Sequence, residues 1–184
     1  LISIGVPIHK VSVKILEETI ESVKEQDYQN WELILIDDCS HDFDLKQKIL
    51  LFQASDYRIK AFFRDVRGNI AQASNEGINR SAGSYILFLD HDDLLRNHSL
   101  LRIVQAIESN SSLKLIYSDE DKINILGRRT SPNFKPSWNP DLLLSQNYIC
   151  HLLCVEANVL KQVSGFREGY EGCQETTQAG DSSR

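Results

Sequence analysis

An α/β fold is predicted for this chain: a three-layer sandwich with a mainly parallel central sheet and helices on both faces. Three observations predict it. Apolar runs of strand length alternate with segments whose apolar residues recur at helical spacing. The 184 residues, 41% hydrophobic and 25% charged, suit one soluble domain with a sizeable core. Polar clusters recur at the ends of the apolar runs, on the rim where such sheets bind ligands.

The elements follow in order. Residues 2–8 read as a buried strand closed by Pro7. Val13, Leu16, Ile20 and Val23 line one face of a helix over 12–26. A strand over 31–36, a helix over 45–54 and a strand over 59–63 come next. The spacing of Ile70, Ala73, Gly77 and Ile78 predicts a helix over 69–80, and 85–89 is a further buried strand. Asn97 is placed to cap a helix ending near residue 109, with Leu100, Val104 and Ile107 on one face. Residues 113–117 read as a fifth strand. Beyond Lys122, Gly127, Pro132, Pro136 and Pro140 punctuate a loop-rich stretch. A short helix over 141–144, a strand over 148–155 and a helix over 157–163 complete the pattern. One domain over 1–172 is expected, followed by a disordered tail over 173–184 that lacks apolar periodicity.

Composition excludes several functions. The net charge is -6, and the densest basic pair is Arg128-Arg129, so neither nucleic acid nor an anionic membrane is bound by bulk charge. No apolar stretch is long enough to span a bilayer, and no signal-peptide pattern is present. The four cysteines make no disulfide framework. Cys150 and Cys154 would face one side of a strand, and free thiols in a reducing compartment are expected. The sequence has no methionine, even at position 1, and is expected to begin inside a longer chain.

Four clusters carry candidate chemistry. Asp90-His91-Asp92 ends the run Tyr85-Ile86-Leu87-Phe88-Leu89. Asp90 and Asp92 offer hard oxygen ligands that suit magnesium or manganese; a turn with a helix cap is the alternative. On a continuing strand His91 points elsewhere, and Asp93 reads as a capping group. Asp37 and Asp38 end the second strand and can accept from a base imide or from ribose hydroxyls, or simply form a turn. Arg67-Gly68-Asn69 opens the helix that carries Asn75, whose amino end can receive phosphate; a capped loop-to-helix turn is the plainer reading. Asp119, in Ser118-Asp119-Glu120-Asp121, either lines the cavity or sits on a solvated hairpin end.

In this order the clusters resemble the family 2 glycosyltransferases, which have the GT-A fold. The resemblance is carried by Val6-Pro7, Ile36-Asp37-Asp38-Cys39-Ser40, Arg67-Gly68-Asn69-Ile70 with Asn75, and Leu89-Asp90-His91-Asp92-Asp93-Leu94-Leu95. Tyr117-Ser118-Asp119-Glu120-Asp121-Lys122, Phe134-Lys135-Pro136 and Gly165-Phe166-Arg167-Glu168-Gly169 extend it towards the branch acting in bacterial surface polysaccharide and O-antigen assembly. The resemblance implies an inverting hexosyl transfer from a UDP- or dTDP-sugar to a saccharide or lipid-linked saccharide acceptor. It places Asp38 at the base, Asp90 at the ribose, Asp92 on a divalent cation (Mn2+ or Mg2+) and Arg67 near the phosphates. Pro7, Asp37, Asn69, Asn75 and His91 complete the expected nucleotide surroundings. The implied location is the cytoplasm, at the inner face of the membrane through partners. The family follows Gly-Phe-Arg-Glu-Gly with an acidic pair whose Asp is the base; here Gln174-Glu175 stands there, followed by Thr176-Thr177-Gln178. Glu175 is the expected base, with Asp119 as a second candidate. The departure implies a catalytic segment altered or cut short, and the alternative is a nucleotide-sugar-binding fragment impaired in catalysis.

Overall fold

A computed structural model of the chain describes residues 1–124 and 126–169. The expected tail over 173–184 and Glu175 lie outside the described residues. In chain order the elements are β1 (Ile2–Ile8), α1 (Val13–Lys24), β2 (Trp31–Asp37), α2 (Phe43–Ser55), β3 (Ile59–Phe63), α3 (Asn69–Arg80) and β4 (Tyr85–Phe88). They continue with α4 (Ser99–Ser109), β5 (Leu115–Tyr117), β6 (Glu120–Ile123), β7 (Arg129–Asn133), α5 (Pro140–Ser145), β8 (Leu153–Glu156) and α6 (Ala157–Gln162).

The six-stranded sheet runs β3-β2-β1-β4-β8-β5. Its first four strands are parallel, and β8 lies antiparallel between β4 and β5. Period-two alternation divides the core into two layers. Ile2, Ile4, Val6, Ile8, Leu33 and Leu35 pack against Leu16, Ile20 and Val23 of α1, Leu45 and Ile49 of α2, and Leu100 and Ile103 of α4. On the opposite face Ile34 and Ile36 meet Ala73 of α3. There Ile86 and Val155 meet Ile78 of α3 and Leu160 of α6. Each such side chain contributes roughly 1.5–3 kcal/mol by leaving water.

β2 is buried along its whole length, including Glu32. That carboxylate accepts from Ser3 Oγ at 2.5 Å, the Ala82 amide at 2.6 Å and Lys60 Nζ at 2.6 Å. Ser3 Oγ in turn accepts from the Gly83 amide at 2.8 Å. A Cβ on Gly83 would stand 2.7 Å from the Ser3 amide nitrogen, so only glycine lets the β4 entry approach β1 this closely.

The structure corrects several expected details. Asn97 does not cap α4: the cap position is His98, without a side-chain hydrogen bond. The cap comes from another helix instead. Gln26, only 1% exposed at the end of α1, accepts from the Leu100 amide at 3.0 Å through Oε1. Its Nε2 donates to Ser22 O at 2.9 Å and Arg96 O at 2.8 Å. Gln26→Ala is expected to lower stability by about 2 kcal/mol, because it strands a buried amide and two carbonyls. Urea unfolding measures this, and a loss under roughly 0.5 kcal/mol would show that water replaces the cap.

The β6–β7 hairpin, from Glu120 to Asn133, replaces the loop expected after Lys122 and fits the hairpin alternative given for Ser118 to Asp121. The sequence hides it because β7 is exposed throughout, so no apolar alternation marks it. The strand expected over 148–155 is shorter and starts at Leu153. Cys150, at φ 41, therefore lies outside it and shares no strand face with buried Cys154. Both thiols are free, as is Cys39. No helix among the described residues is long and apolar enough to cross a membrane.

Candidate functional site

Strand order reverses between β1 and β4, since β2 and β3 extend from one side of β1 and β4 stands on the other. Open α/β sheets form a crevice at the carboxyl ends of the strands flanking such a point. A cavity of 420 Å³ lies there, walled by Pro7, Ala71, Asp90, His151, Phe166 and Arg167, among others. A shallower groove of 570 Å³ follows the outer face of α3.

At the tip of β4 the chain turns back on itself, with the Asp93 amide donating to Asp90 O at 3.2 Å. This turn puts Asp90 and Asp93 side by side. His151, from the segment before β8, joins them: its Nε2 lies 3.4 Å from Asp90 Oδ2 and its Nδ1 3.6 Å from Asp93 Oδ2. One ligand atom from each residue lies within 4.8 Å of the others. Burial pushes the Asp90 carboxyl above its ordinary range, with His151 opposing and Asp92 adding to the rise. Burial likewise lifts Asp93 to about 6, with Asp90, Asp92 and Glu120 adding to the rise. An added cation would relieve this repulsion.

One reading of this turn changes. Asp93 caps no helix, since the next helix begins at Ser99. The carboxylate that shares the cluster with Asp90 is Asp93, whereas Asp92 is exposed beside it. His91 points away, as expected, although the chain here is a turn and no longer a strand. Its Nδ1 lies 3.1 Å from Pro7 O, and its own carbonyl accepts from Thr19 Oγ1 at 2.9 Å. His91 thus ties the ends of β1 and β4 together.

The end of β2 is also buried. Asp38 is 3% exposed, and its Oδ1 accepts from the Gly68 amide at 2.8 Å. Arg64 Nε lies 2.9 Å from the same oxygen but is not aimed along a hydrogen bond, so that contact is ionic. Arg64 also reaches Glu76 at 2.9 Å and Gln72 at 2.8 Å, fixing the β3–α3 loop to α3. Asp37 accepts from Ser40 Oγ. The helix cap falls at Gly68 rather than Asn69, and no side chain bonds the first amides of α3. Arg67 and Asn69 are exposed on this loop.

Asn75 uses both ends of its amide on one residue: Nδ2 donates to Phe166 O at 2.9 Å and Oδ1 accepts from Phe166 N at 2.8 Å. The Phe166 ring meets Phe88 edge-on at 4.9 Å. Asn75 therefore holds the Gly165 to Gly169 loop as a wall of the cavity. Asp119 is exposed, and its Oδ1 accepts from the Lys135 amide at 2.8 Å. The Lys135 ammonium is bonded to Glu120 Oε2 at 3.3 Å and to the carbonyls of Ile149 and His151.

Of the residues gathered here, His151 and Arg64 carry no local sequence pattern that marks them, and Asp93 stands in the acidic run but reads there as a cap. His151 was read as one residue of a strand, and the one signal against that was the polar start of the segment at Asn147.

A family model described as "Glycosyl transferase family 2" matches residues 3–161. The protein y4gI of Sinorhizobium fredii is 46% identical over 175 residues, covering 95% of this chain and 19% of its own length. The O-antigen biosynthesis protein RfbC of Myxococcus xanthus is 38% identical over 174 residues, covering 95% of this chain and 14% of its own length. The chain thus spans less than a fifth of either relative. Among solved structures, S. aureus TarS 1-349 in complex with UDP superposes with a TM-score of 0.74 at 22% identity. That match covers 94% of this chain and 52% of TarS 1-349, and shows a shared fold.

Proposed function

This chain belongs to glycosyl transferase family 2, and from that premise we propose that it is the donor-binding part of an inverting glycosyltransferase. It moves a hexosyl group from a UDP- or dTDP-sugar to a hydroxyl of a saccharide or lipid-linked saccharide in surface-polysaccharide or O-antigen assembly. The observation that carries this reading is the meeting of Asp90, Asp93 and His151 at the crevice between β1 and β4, whose cavity the uncapped start of α3 also lines.

Two carboxylates and an imidazole within 4.8 Å form a donor set that fits a divalent cation, Mn2+ more readily than Mg2+ because of the nitrogen. Asp90, Asp93 and His151 would hold it, with Asp92 at the open side. When bound, such an ion supplies charge neutralisation for a departing diphosphate. The chain's own groups do the remainder. Asp38 holds Gly68 so that the free amides of α3 and its positive end face the phosphates. Arg67 adds a solvent-facing cation on the same loop. Asp37, Asp38 and Pro7 border the base and ribose. The acceptor oxygen forms a bond to the sugar C1 as the bond from C1 to the diphosphate oxygen breaks on the opposite face, so the configuration inverts. A carboxylate takes the acceptor proton; Glu175 is the proposed base and Asp119 the second candidate.

A second reading, donor binding without transfer, draws on the Gln174-Glu175-Thr176 sequence that replaces the family pattern. Donor hydrolysis that Glu175→Gln abolishes would argue against it.

Calorimetric titration with UDP and dTDP, with and without Mn2+, tests the donor site. Metal-dependent binding is expected, at least about tenfold tighter with Mn2+ than without. Asp93→Ala should weaken it more than Asp92→Ala, reversing the order that the sequence pattern implies. Binding that ignores the metal, or no binding by the native chain, overturns the reading.

A further inference from the structure

We propose that Lys135 is a positioning residue that sets His151 against Asp90 and Asp93, with Glu120 as its counter-ion. The consequence for cation affinity rests on the donor-site reading above; the placement rests on contacts alone.

The Lys135 side chain is 2% exposed, although it grows from a stretch whose neighbours are nearly all in solvent. A buried ammonium is costly unless all its protons are matched. Here Glu120 Oε2 and the carbonyls of Ile149 and His151 supply three acceptors for three protons. The same Glu120 oxygen accepts from the His151 amide at 3.3 Å. The His151 backbone is therefore held at its N–H by Glu120 and at its carbonyl by Lys135. The Ile149 carbonyl fixes the approach, so both flanks of Cys150 are pinned.

The β6–β7 hairpin gains little from this arrangement for its own folding, since β7 buries nothing. What the ammonium fixes is the irregular segment before β8. That segment carries no regular backbone ladder of its own, yet its His151 ring stands within 4 Å of two carboxylates from the turn after β4. Asp119, accepting from the Lys135 amide, orients the lysine from the other side. The Phe134-Lys135-Pro136 segment thereby acts at a distance on a site it does not line.

The test is a double-mutant cycle on Mn2+ affinity of the full chain, read from the paramagnetic resonance signal of free Mn2+. Lys135→Met is expected to weaken Mn2+ binding about tenfold, the effect typical of groups that orient a metal ligand. In a His151→Ala background the same change should have almost no further effect, because Lys135 acts through His151. Full additivity, or an affinity within about twofold of native in a folded Lys135→Met protein, overturns the proposal. If Lys135→Met does not fold, Glu120→Gln enters the same cycle under the same criteria. If the native chain binds no Mn2+, the donor-site reading fails by itself. The placement is then judged from the His151 ring resonances, which must move in Lys135→Met; unchanged resonances overturn it.

Discussion

Asp90→Ala is expected to cut sugar transfer by about a thousandfold while leaving the fold intact. Asp90 is shared by the pairing that the sequence suggests, with Asp92, and the pairing that the structure shows, with Asp93 and His151. It lines the cavity and has His151 as its ion-pair partner at 3.4 Å. Its loss removes a raised-pKa carboxylate from a crowded acidic turn, so little stability should follow it; a change under about 1 kcal/mol is expected. The loss should appear mainly in kcat, since a group that meets charge developing on the leaving diphosphate contributes more at the transition state than in the ground state. His151→Ala should follow the same direction with a smaller loss, about a hundredfold. Measured kinetics with a UDP- or dTDP-sugar decide this. Asp90→Ala with transfer within tenfold of native would remove the turn from the mechanism.

The second large effect is on stability. Glu32→Ala is expected to destabilise the chain by about 3 kcal/mol. The carboxylate lies beneath the sheet, with a side chain 5% exposed, and receives Ser3, the Ala82 amide and Lys60. Alanine leaves three donors facing a small void, of which only Lys60, 44% exposed, can turn to water. Burial alone would raise the Glu32 pKa, but the hydrogen bonds from Lys60, Ser3 and Ala82 together outweigh it and hold it below 4.5. A carboxyl depressed on folding stabilises the protein fully above its unfolded pKa, and that contribution is lost as pH falls through the lowered folded value. Stability should therefore drop as the pH falls below about 4.5, and Glu32→Gln should flatten that slope. Urea unfolding across the acid range measures both, and a slope unaltered in Glu32→Gln would place the acid sensitivity elsewhere.

The parallel half of the fold was legible because burial writes itself into apolar pattern. β1, β2, β3 and α3 fall where the periodicity placed them, and the crevice follows from strand order alone. The same pattern put Asp38 and Asp90 just past the carboxyl ends of β2 and β4, and they stand there. The rest is written in contacts between distant residues. Gln26 caps α4 from another helix, and no local pattern announces a cap in trans. β7 faces solvent along its length, so its pairing with β6 leaves no apolar trace. His151 acquires its meaning only when the segment before β8 folds back on β4, and Lys135 only when that segment needs an anchor. Asp93 reads as a cap in the sequence, but the next helix begins only at Ser99, and the turn after β4 sets Asp93 beside Asp90 instead.

The antiparallel placement of β8 has a temporal side. In the sheet order, β5 touches β8 alone, and β4 touches β1 and β8. When a ribosome has extruded the chain as far as Tyr117, β4 still presents a bare edge and β5 has no strand to join. Both wait for residues 153–156, the latest-made strand among the described residues, to slide between them. The segment bearing His151 arrives with that strand. The side of the crevice built from β1, β2 and α3 is thus made before β8, while His151, the third member of the acidic cluster, comes with the strand that joins β4 to β5. Exposed edges recruit other chains, so among the described residues the interval between Tyr117 and Glu156 is a vulnerable stretch during synthesis.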